Sequence, residues 1–452
     1  MATTDRTLIS YIRVKGLFGA HNYTIELSPG KASASTVSIL YGDNGCGKST
    51  ILRLIFHLLA CETDRGHRTY VARAQFQEFT IKFSSGVSVT AVRPEGQHTG
   101  SYELRVTTAE QSTVATFDVE ERGNETVVSS KYSEEKLAVV SAIAKLELVL
   151  FFLGDDRTVM KSPERPESNE LRLLGRSERE HSSTKLRDWQ RAVGPQPEPD
   201  IESLLIRQLD ILMQRAAGYI RDVVLKATRR GETNAHTVYS QIIEQLAKME
   251  FGDVGAKPTA RDELERHIAQ IEETSKGYSR FGFLSRFSGR KLTEAIQQSD
   301  PRKLMVIDQV LGPYLDGLDA RIIALHDIQQ RVETLVETLN KSFLSNKTIS
   351  YRLGQGFKIR SSAGSVLESS MLSSGEKHLL LIFCSAFLAP GKNVLMLIDE
   401  PEISLNIKWQ RLLIGALLKC NSEDAAQYLF ATHSMELLAG HLERVIPLTH
   451  LL

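Results

Sequence analysis

Three regimes of apolar and polar patterning follow one another along the chain. In the first, residues 8–14 and 23–27 are β-rich, and 79–83, 87–92, 102–106 and 113–119 alternate apolar and polar positions between Gly, Ser and Glu, which predicts short strands, the last four as an antiparallel meander. Set among them, 37–41 is a largely apolar strand and 148–153 a continuous apolar run of the kind that forms a fully buried central strand; near the far end 394–398 reads as another buried strand and 428–431 as a further apolar one. After 37–41, Ile51, Leu52, Leu54, Ile55, Leu58 and Leu59 give a helix one buried side, and 141–146 also reads as helical. The second regime, 161–199, is rich in Pro, Ser, Glu and Arg with little periodicity, an exposed connection. In the third, Ile201, Leu204, Leu205, Leu209, Leu212, Ala216, Ile220 and Val224 recur at three- and four-residue steps and predict a long amphipathic helix. Leu318, Ile322, Leu325, Ile328, Val332, Leu335, Leu339 and Phe343 continue that periodicity as a heptad-like seam, for which an antiparallel helical partner is the expected cover, in an ordinary bundle or in a protruding coiled coil. Strands resume at 348–352 and 357–360, and a strongly apolar helix at 379–388.

The pattern sets the organisation: an N-terminal lobe over 1–157, an exposed linker over 158–199, an α-helical insertion over 200–346 and a C-terminal lobe over 347–452. At 452 residues more than one structural unit is expected. Lys and Arg number 55, as do Asp and Glu, so no global charge points to nucleic acid or a membrane surface, and direct nucleic-acid contact is left open. The cysteines Cys46, Cys61, Cys384 and Cys420 have neither zinc-site nor disulfide spacing, which favours a reducing compartment. No apolar run approaches a bilayer span and the first ten residues lack a signal-peptide core, so a cytoplasmic protein without membrane association is expected.

Chemistry concentrates at the ends of the apolar runs. Between the strand 37–41 and its helix stands G-D-N-G-C-G-K-S-T, residues Gly42, Asp43, Asn44, Gly45, Cys46, Gly47, Lys48, Ser49 and Thr50. It fills the phosphate-loop pattern in the strand–loop–helix context that pattern requires. The glycines let backbone N–H groups turn inward and the helix N-terminus adds partial positive charge, so ATP is the expected ligand, with Lys48 on its β/γ-phosphates and Ser49 on Mg²⁺. The strand 394–398 delivers Asp399 and Glu400 to its C-terminal edge, where an aspartate can share the Mg²⁺ and a glutamate can act as general base on water. The strand 428–431 ends in Thr432-His433-Ser434, and His433 there reads as a phosphate sensor. Ser373-Ser374-Gly375-Glu376 precedes the helix 379–388; by itself this is an N-cap as readily as a phosphate contact.

Taken together, the phosphate loop, L-S-S-G-E-K, the apolar strand with Asp-Glu-Pro-Glu and the terminal Thr-His-Ser resemble the ABC-type ATPase head, in its soluble RecF, SMC and OLD-type branch. The resemblance covers roughly 1–157 and 347–452. It implies an α/β fold: a P-loop head of mixed sheet plus antiparallel β subdomain, interrupted by a helical or coiled-coil insertion. It also implies that Ser373 and Gly375 contact the γ-phosphate of a nucleotide held by a second subunit, that Glu400 is the catalytic base and His433 the switch histidine, and that Ser404, Leu405 and Asn406 cross a dimer interface. No glutamine is unambiguously the Mg²⁺- and water-binding one: Gln75 and Gln77 are candidates, and the Asp155–Arg157 stretch is the alternative.

The long interval between Lys48 and Ser373 argues against a transporter subunit, and the insertion is too short for an SMC-length arm. The short tail after His433 leaves no room for a TOPRIM nuclease domain. That profile is similar to the stand-alone ATPase subunits of the anti-phage systems PARIS (AriA) and Septu (PtuA), with a homodimer or larger homo-oligomer, a separate TOPRIM or HNH nuclease or toxin effector, and a phage-encoded trigger as implied partners. The competing expectation is a RecF/SMC-like repair ATPase that clamps DNA directly.

Overall fold

The computed structural model describes residues 7–27, 36–122, 125–129, 132–162, 201–248, 259–299, 301–389, 393–420 and 426–448. By its internal contacts the chain divides into two units, Met1–Leu209 with Ser373–Leu452, and Asp210–Leu372.

The first unit holds two six-stranded sheets. In one, β1 (Ile9–Leu17), β2 (His21–Glu26), β4 (Glu78–Phe83), β5 (Ser88–Val92), β6 (Tyr102–Thr107) and β7 (Ser112–Phe117) pair antiparallel in the order β2-β1-β4-β5-β6-β7. The period-two pattern places Val89 and Ala91, then Leu104 and Val106, on the buried face. The other sheet runs β11 (Val159–Ser162), β10 (Val149–Leu153), β15 (Val394–Asp399), β16 (Gln427–Thr432), β3 (Thr36–Tyr41), β17 (Val445–Pro447). Its strands are parallel except β11, which returns antiparallel beside β10. The four apolar runs of the sequence are its central strands, as burial on both faces requires.

Helix α1 (Lys48–Leu59) packs on β10, β15 and β16, and its buried Ile51, Leu52, Ile55 and Leu58 join one continuous core with residues of both sheets. Helix α2 (His67–Arg73) packs on α1, and a hairpin of β8 (Val119–Arg122) and β9 (Glu125–Val128) leads to α3 (Glu134–Ala144). That helix begins earlier than the predicted 141–146 because Ser133 caps it, accepting from Lys136 N, and Glu134 and Glu135 complement its dipole. The expected α/β fold, a P-loop head of mixed sheet and antiparallel β sheet interrupted by a helical insertion, is present. The first residues of the expected linker form β11, and 163–199 lie outside the described residues.

The second unit contains most of α4 (Ile201–Lys248), then α5 (Thr259–Phe281), α6 (Arg290–Gln297), α7 (Pro301–Thr338) and the antiparallel sheet β12 (Lys347–Arg352), β13 (Gly356–Ser361), β14 (Val366–Leu367). The heptad-like seam lies on α7 and the turn after it, and is buried from Ile322 through Phe343. It has the expected antiparallel neighbour and a second, parallel one. The His267–Asp319, Tyr278–His326 and Arg280–Glu333 contacts ascend together, so α5 runs parallel to α7. On another side, Thr228 meets Arg321 and Tyr219 meets Arg331, so α4 runs antiparallel. Flanked by both, α7 is a bundle helix. Its end is a π-helical turn, Leu339–Phe343, where Asn340 bonds the N–H and the carbonyl of Ile349 at 2.7 and 2.9 Å and so fixes the entry to β12.

Candidate functional site

Because β3, β10, β15 and β16 are parallel, their C-terminal ends lie along one edge, where ligands of such sheets collect. The register pairs Leu153 with Ile398, Asp399 with Ala431 and Thr432 with Tyr41, so the segments that follow these strands are neighbours.

The loop after β3 carries Asp43, Asn44 and Gly45 exposed, and Cys46, Gly47 and Lys48 buried. Gly45 and Gly47 have φ of 83° and 94°, and a Cβ on Gly47 would stand 2.4 Å from Leu17 Cδ2, so only glycine fits there. The Tyr23 hydroxyl donates to the Cys46 carbonyl at 2.8 Å and anchors the loop from β2. Lys48 Nζ donates to the Gly42 and Asp43 carbonyls at 2.7 and 3.0 Å and stands 3.9 Å from Glu400 Oε1. Ser49 and Thr50 follow in the first turn of α1.

Ser49 Oγ donates to Asp399 Oδ1 at 3.0 Å. Asp399 is fully buried, and burial lifts its pKa to about 6, opposed by the Ser49 hydrogen bond and reinforced by the charge of Asp155. Its Oδ2 is buried without a hydrogen-bond partner. A desolvated carboxylate with one bare oxygen beside a hydroxyl is the donor set that a Mg²⁺ ion completes, so the residues present fit that ion.

Glu400 has a left-handed backbone, φ 45°, a strained conformation for a residue with a Cβ. Its Oε2 meets His433 Nδ1 at 2.6 Å. Burial and then the adjoining Glu402 push its pKa up to about 7, against the opposite influence of His433. One ligand atom each of Glu400, Glu402 and His433 falls within 4.8 Å of the others.

Ser373 and Gly375 lie elsewhere. Ser373 caps α8 (Ser374–Phe387) in a capping box: its Oγ accepts from Glu376 N, and the Glu376 carboxylate accepts from Ser373 N at 2.8 Å. A Cβ on Gly375 would stand 2.5 Å from the Ser404 carbonyl oxygen, so α8 touches the segment that follows β15. Among the described residues neither has a hydrogen bond to the phosphate loop. Ser404, φ 66°, accepts from Arg157, φ 64°, and Asn406 accepts from Trp409 N at the start of α9 (Ile407–Cys420).

For the open glutamine position, Gln75 and Gln77 bond through their backbones to Phe18 and Lys15 beside β1, and neither is hydrogen-bonded to Ser49 or Asp399 among the described residues. Asp155, at the end of β10, pairs with Arg53 of α1 at 2.7 Å and is close enough to act on Asp399. The sequence reading gave no role to Glu402 or Arg53. The signal for Glu402 was the second acidic residue of Asp-Glu-Pro-Glu; Arg53 carried none beyond its place on α1.

No curated protein matches the chain. Among solved structures it is similar to the Smc head domain with an extended coiled coil bound to the C-terminal domain of ScpA from Pyrococcus furiosus, at 12% identity over 98% of this chain and 93% of that one, TM-score 0.36. The Smc head domain with a coiled coil and joint from Pyrococcus yayanosii is similar at 13% identity over 98% and 95%, TM-score 0.37. Residues 37–439 match the model of the AAA_21 family, described as "AAA domain, putative AbiEii toxin, Type IV TA system", and a match over most of the chain, from β3 through the segment after β16, makes it a member of that family.

Proposed function

We propose that the chain binds ATP with Mg²⁺, hydrolyses it slowly, and serves as the switch subunit of a cytoplasmic anti-phage defence complex that senses infection and holds or releases a separate nuclease or toxin. The observation that carries the catalytic part is the convergence of Lys48, the Ser49–Asp399 pair with its bare Oδ2, and the Glu400–His433 pair on one sheet edge. The phosphate loop and Lys48 bind the phosphates, and Ser49 and Asp399 hold Mg²⁺, which neutralises charge developing on the transferred phosphoryl group. Glu400 accepts the proton of the attacking water, for which a pKa near 7 is well matched, and His433 orients its carboxylate.

Ser373 and Gly375 complete the site of a facing subunit, so that ATP draws two copies, or a larger ring, together. Gly375 approaches the Ser404 carbonyl, Ser373 bonds its own helix, and among the described residues neither is hydrogen-bonded to the phosphate loop of the same chain, which agrees with this. The toxin and toxin–antitoxin wording of the family description supports a defence setting; the separate effector and the phage-encoded trigger, of PARIS type in the first instance, belong to the proposal. Among the described residues no helix is long and apolar enough to cross a membrane.

The test is ATP binding and turnover in two variants. Lys48→Ala loses binding, whereas Glu400→Gln binds ATP as the wild type does and loses about 100-fold or more in turnover, since an amide keeps the shape and cannot accept the proton. Ser373→Arg subunits mixed with Glu400→Gln subunits regain partial turnover. Equal hydrolysis by wild type and Glu400→Gln removes Glu400 from this role, and no recovery in proven mixed dimers removes the shared site.

A further inference from the structure

The second glutamate of Asp-Glu-Pro-Glu has a buried carboxylate that the hydrolytic reading leaves without a task. Glu402 is 7% exposed. Its Oε1 accepts from the Thr432 hydroxyl, from His433 N at 3.2 Å and from Ser434 N at 3.2 Å, and lies 3.5 Å from His433 Nδ1. Thr432 Oγ1 in turn accepts from Ser434 N at 2.9 Å, and Ser434 Oγ accepts from Leu437 N at the start of α10 (Met435–Leu438). One carboxylate oxygen thus gathers the whole turn by which the chain leaves β16. The same turn holds the ring whose Nδ1 meets Glu400.

We propose that Glu402 is a positioning residue for the reaction: its carboxylate fixes the Thr432–His433–Ser434 turn so that the His433 ring is held against Glu400. The inference rests on the hydrolytic reading for its consequence and on the geometry alone for the contact. Three features support it beyond simple packing. The acceptor is a carboxylate oxygen of a side chain more than nine-tenths buried, and hydrogen bonds in such a place are stronger than in water. All three donors belong to consecutive residues of one turn, so a single oxygen determines the direction in which His433 projects. His433 itself is half-exposed, with a side chain 51% accessible, so packing alone does not hold its ring in place. Glu402 is also rigidly mounted: Leu405 N bonds the Glu402 carbonyl at 2.9 Å, and Glu400 N bonds Ala431 O at 2.8 Å, which ties the loop after β15 to the end of β16 from its own side. The role differs from that of Glu400, because Glu402 acts through His433 and does not touch the reacting atoms.

The experiment follows amide hydrogen exchange and steady-state kinetics of the full chain in Glu402→Ala, Glu402→Gln and Thr432→Val. In Glu402→Ala the amides of His433 and Ser434 exchange about tenfold faster or more, while those of Leu429 and Phe430 in β16 keep their protection. With ATP and Mg²⁺, kcat falls about tenfold or more while KM stays within about twofold, the split expected when a catalytic group loses its orientation and binding does not change. Glu402→Gln retains an acceptor oxygen of the same shape and recovers most of both properties. Thr432→Val removes one donor without changing volume and gives a smaller shift of the same sign, which keeps the test alive if Glu402→Ala does not fold. Unchanged exchange at His433 and Ser434 in the folded variants overturns the proposal, as does a parallel rise in KM and fall in kcat. A wild-type chain that turns over no ATP defeats the hydrolytic reading instead, and exchange still decides the contact.

Discussion

Ser49 Oγ donates to Asp399 Oδ1 at 3.0 Å, joining the first turn of α1 to the end of β15 across 350 positions of sequence. The bond uses one carboxylate oxygen and leaves the other buried and bare. Asp399→Asn keeps the shape and the Ser49 contact while removing the charge that an Mg²⁺ ion needs. ATP affinity of this variant, measured calorimetrically, falls about tenfold or more in Mg²⁺ and is unchanged in EDTA; Ser49→Ala shifts in the same direction. Because burial raises the pKa of Asp399, its ionised form is disfavoured in the free protein, so Asp399→Asn unfolds at an equal or higher temperature. An equal loss of affinity with and without Mg²⁺ sinks the metal-holding role.

Two glycines on helices separate close approach from simple helix propensity. Gly375, in α8, has the Ser404 carbonyl 2.5 Å from where a Cβ would stand, and backbone there cannot swing away as a side-chain tip would. Gly415, in α9, has nothing within 4 Å of that point. Gly415→Ala stabilises the chain by about 0.5–1 kcal/mol in urea unfolding, the helix-propensity gain. Gly375→Ala destabilises it by about 1–3 kcal/mol, the overpacking cost. Equal effects would mean that the Ser404 segment yields freely.

The phosphate loop, Asp399, Glu400 and His433 were legible because each sits at the end of a continuous apolar run, and in a parallel sheet those ends share an edge. Burial on both faces writes itself into consecutive residues and needs no knowledge of the partner strand. Elements with weaker signals were missed. The strand β11 lies where Pro, Ser and charge dominate, and it forms because β10 offers it an edge. The hairpin β8–β9 reads E-E-R-G-N-E, polar throughout its turn. Helix α2 begins at His67 with no side-chain cap to announce it. The direction of the α5 partner was also hidden, since a heptad seam specifies that a face is covered and says nothing of whether the covering helix runs up or down. Glu402 was visible as a letter but not as a contact, because its donors, one hydroxyl and two backbone N–H groups, lie at the end of another strand.

Acid sensitivity is expected from a histidine pair beside the phosphate-loop helix. His57 Nδ1 meets His67 Nδ1 at 2.9 Å, both rings are buried, and burial lowers their pKa values to about 3 and about 4. The unfolded rings titrate near 6.5, so the unfolded chain binds more protons below that pH and stability falls as pH drops from about 6.5 towards 4. Each ring contributes on the order of 2 kcal/mol of that loss by pH 5, and the pair about 4 kcal/mol. Asp399, with its raised pKa, pulls in the opposite direction, so the readout is a difference between proteins. Urea unfolding at pH 7 and pH 5 shows a smaller pH effect in the His57→Gln/His67→Gln double variant than in the wild type, and an identical pH effect rejects the assignment.

We propose the helical insertion as the surface for assembly or recognition, and burial decides which residues can test it. Ile322, Leu325 and Val332 carry the seam of α7, and all three are 7% exposed or less. A polar residue at Leu325 acts on the bundle core: Leu325→Asp costs about 3–5 kcal/mol and unfolds the second unit, which says nothing about a partner. Val310 and Tyr314 lie one turn apart on the same helix and are 39% and 46% exposed. Val310→Ser with Tyr314→Ser leaves unfolding within about 0.5 kcal/mol of the wild type, as surface changes do, and leaves ATP turnover intact. If the insertion is the recognition surface, phage protection measured with the neighbouring genes present is lost in this variant while hydrolysis persists. Full protection with unaltered assembly in the folded variant would exclude this face of α7 from that role, and the effect of Leu325→Asp would then reduce to loss of the bundle.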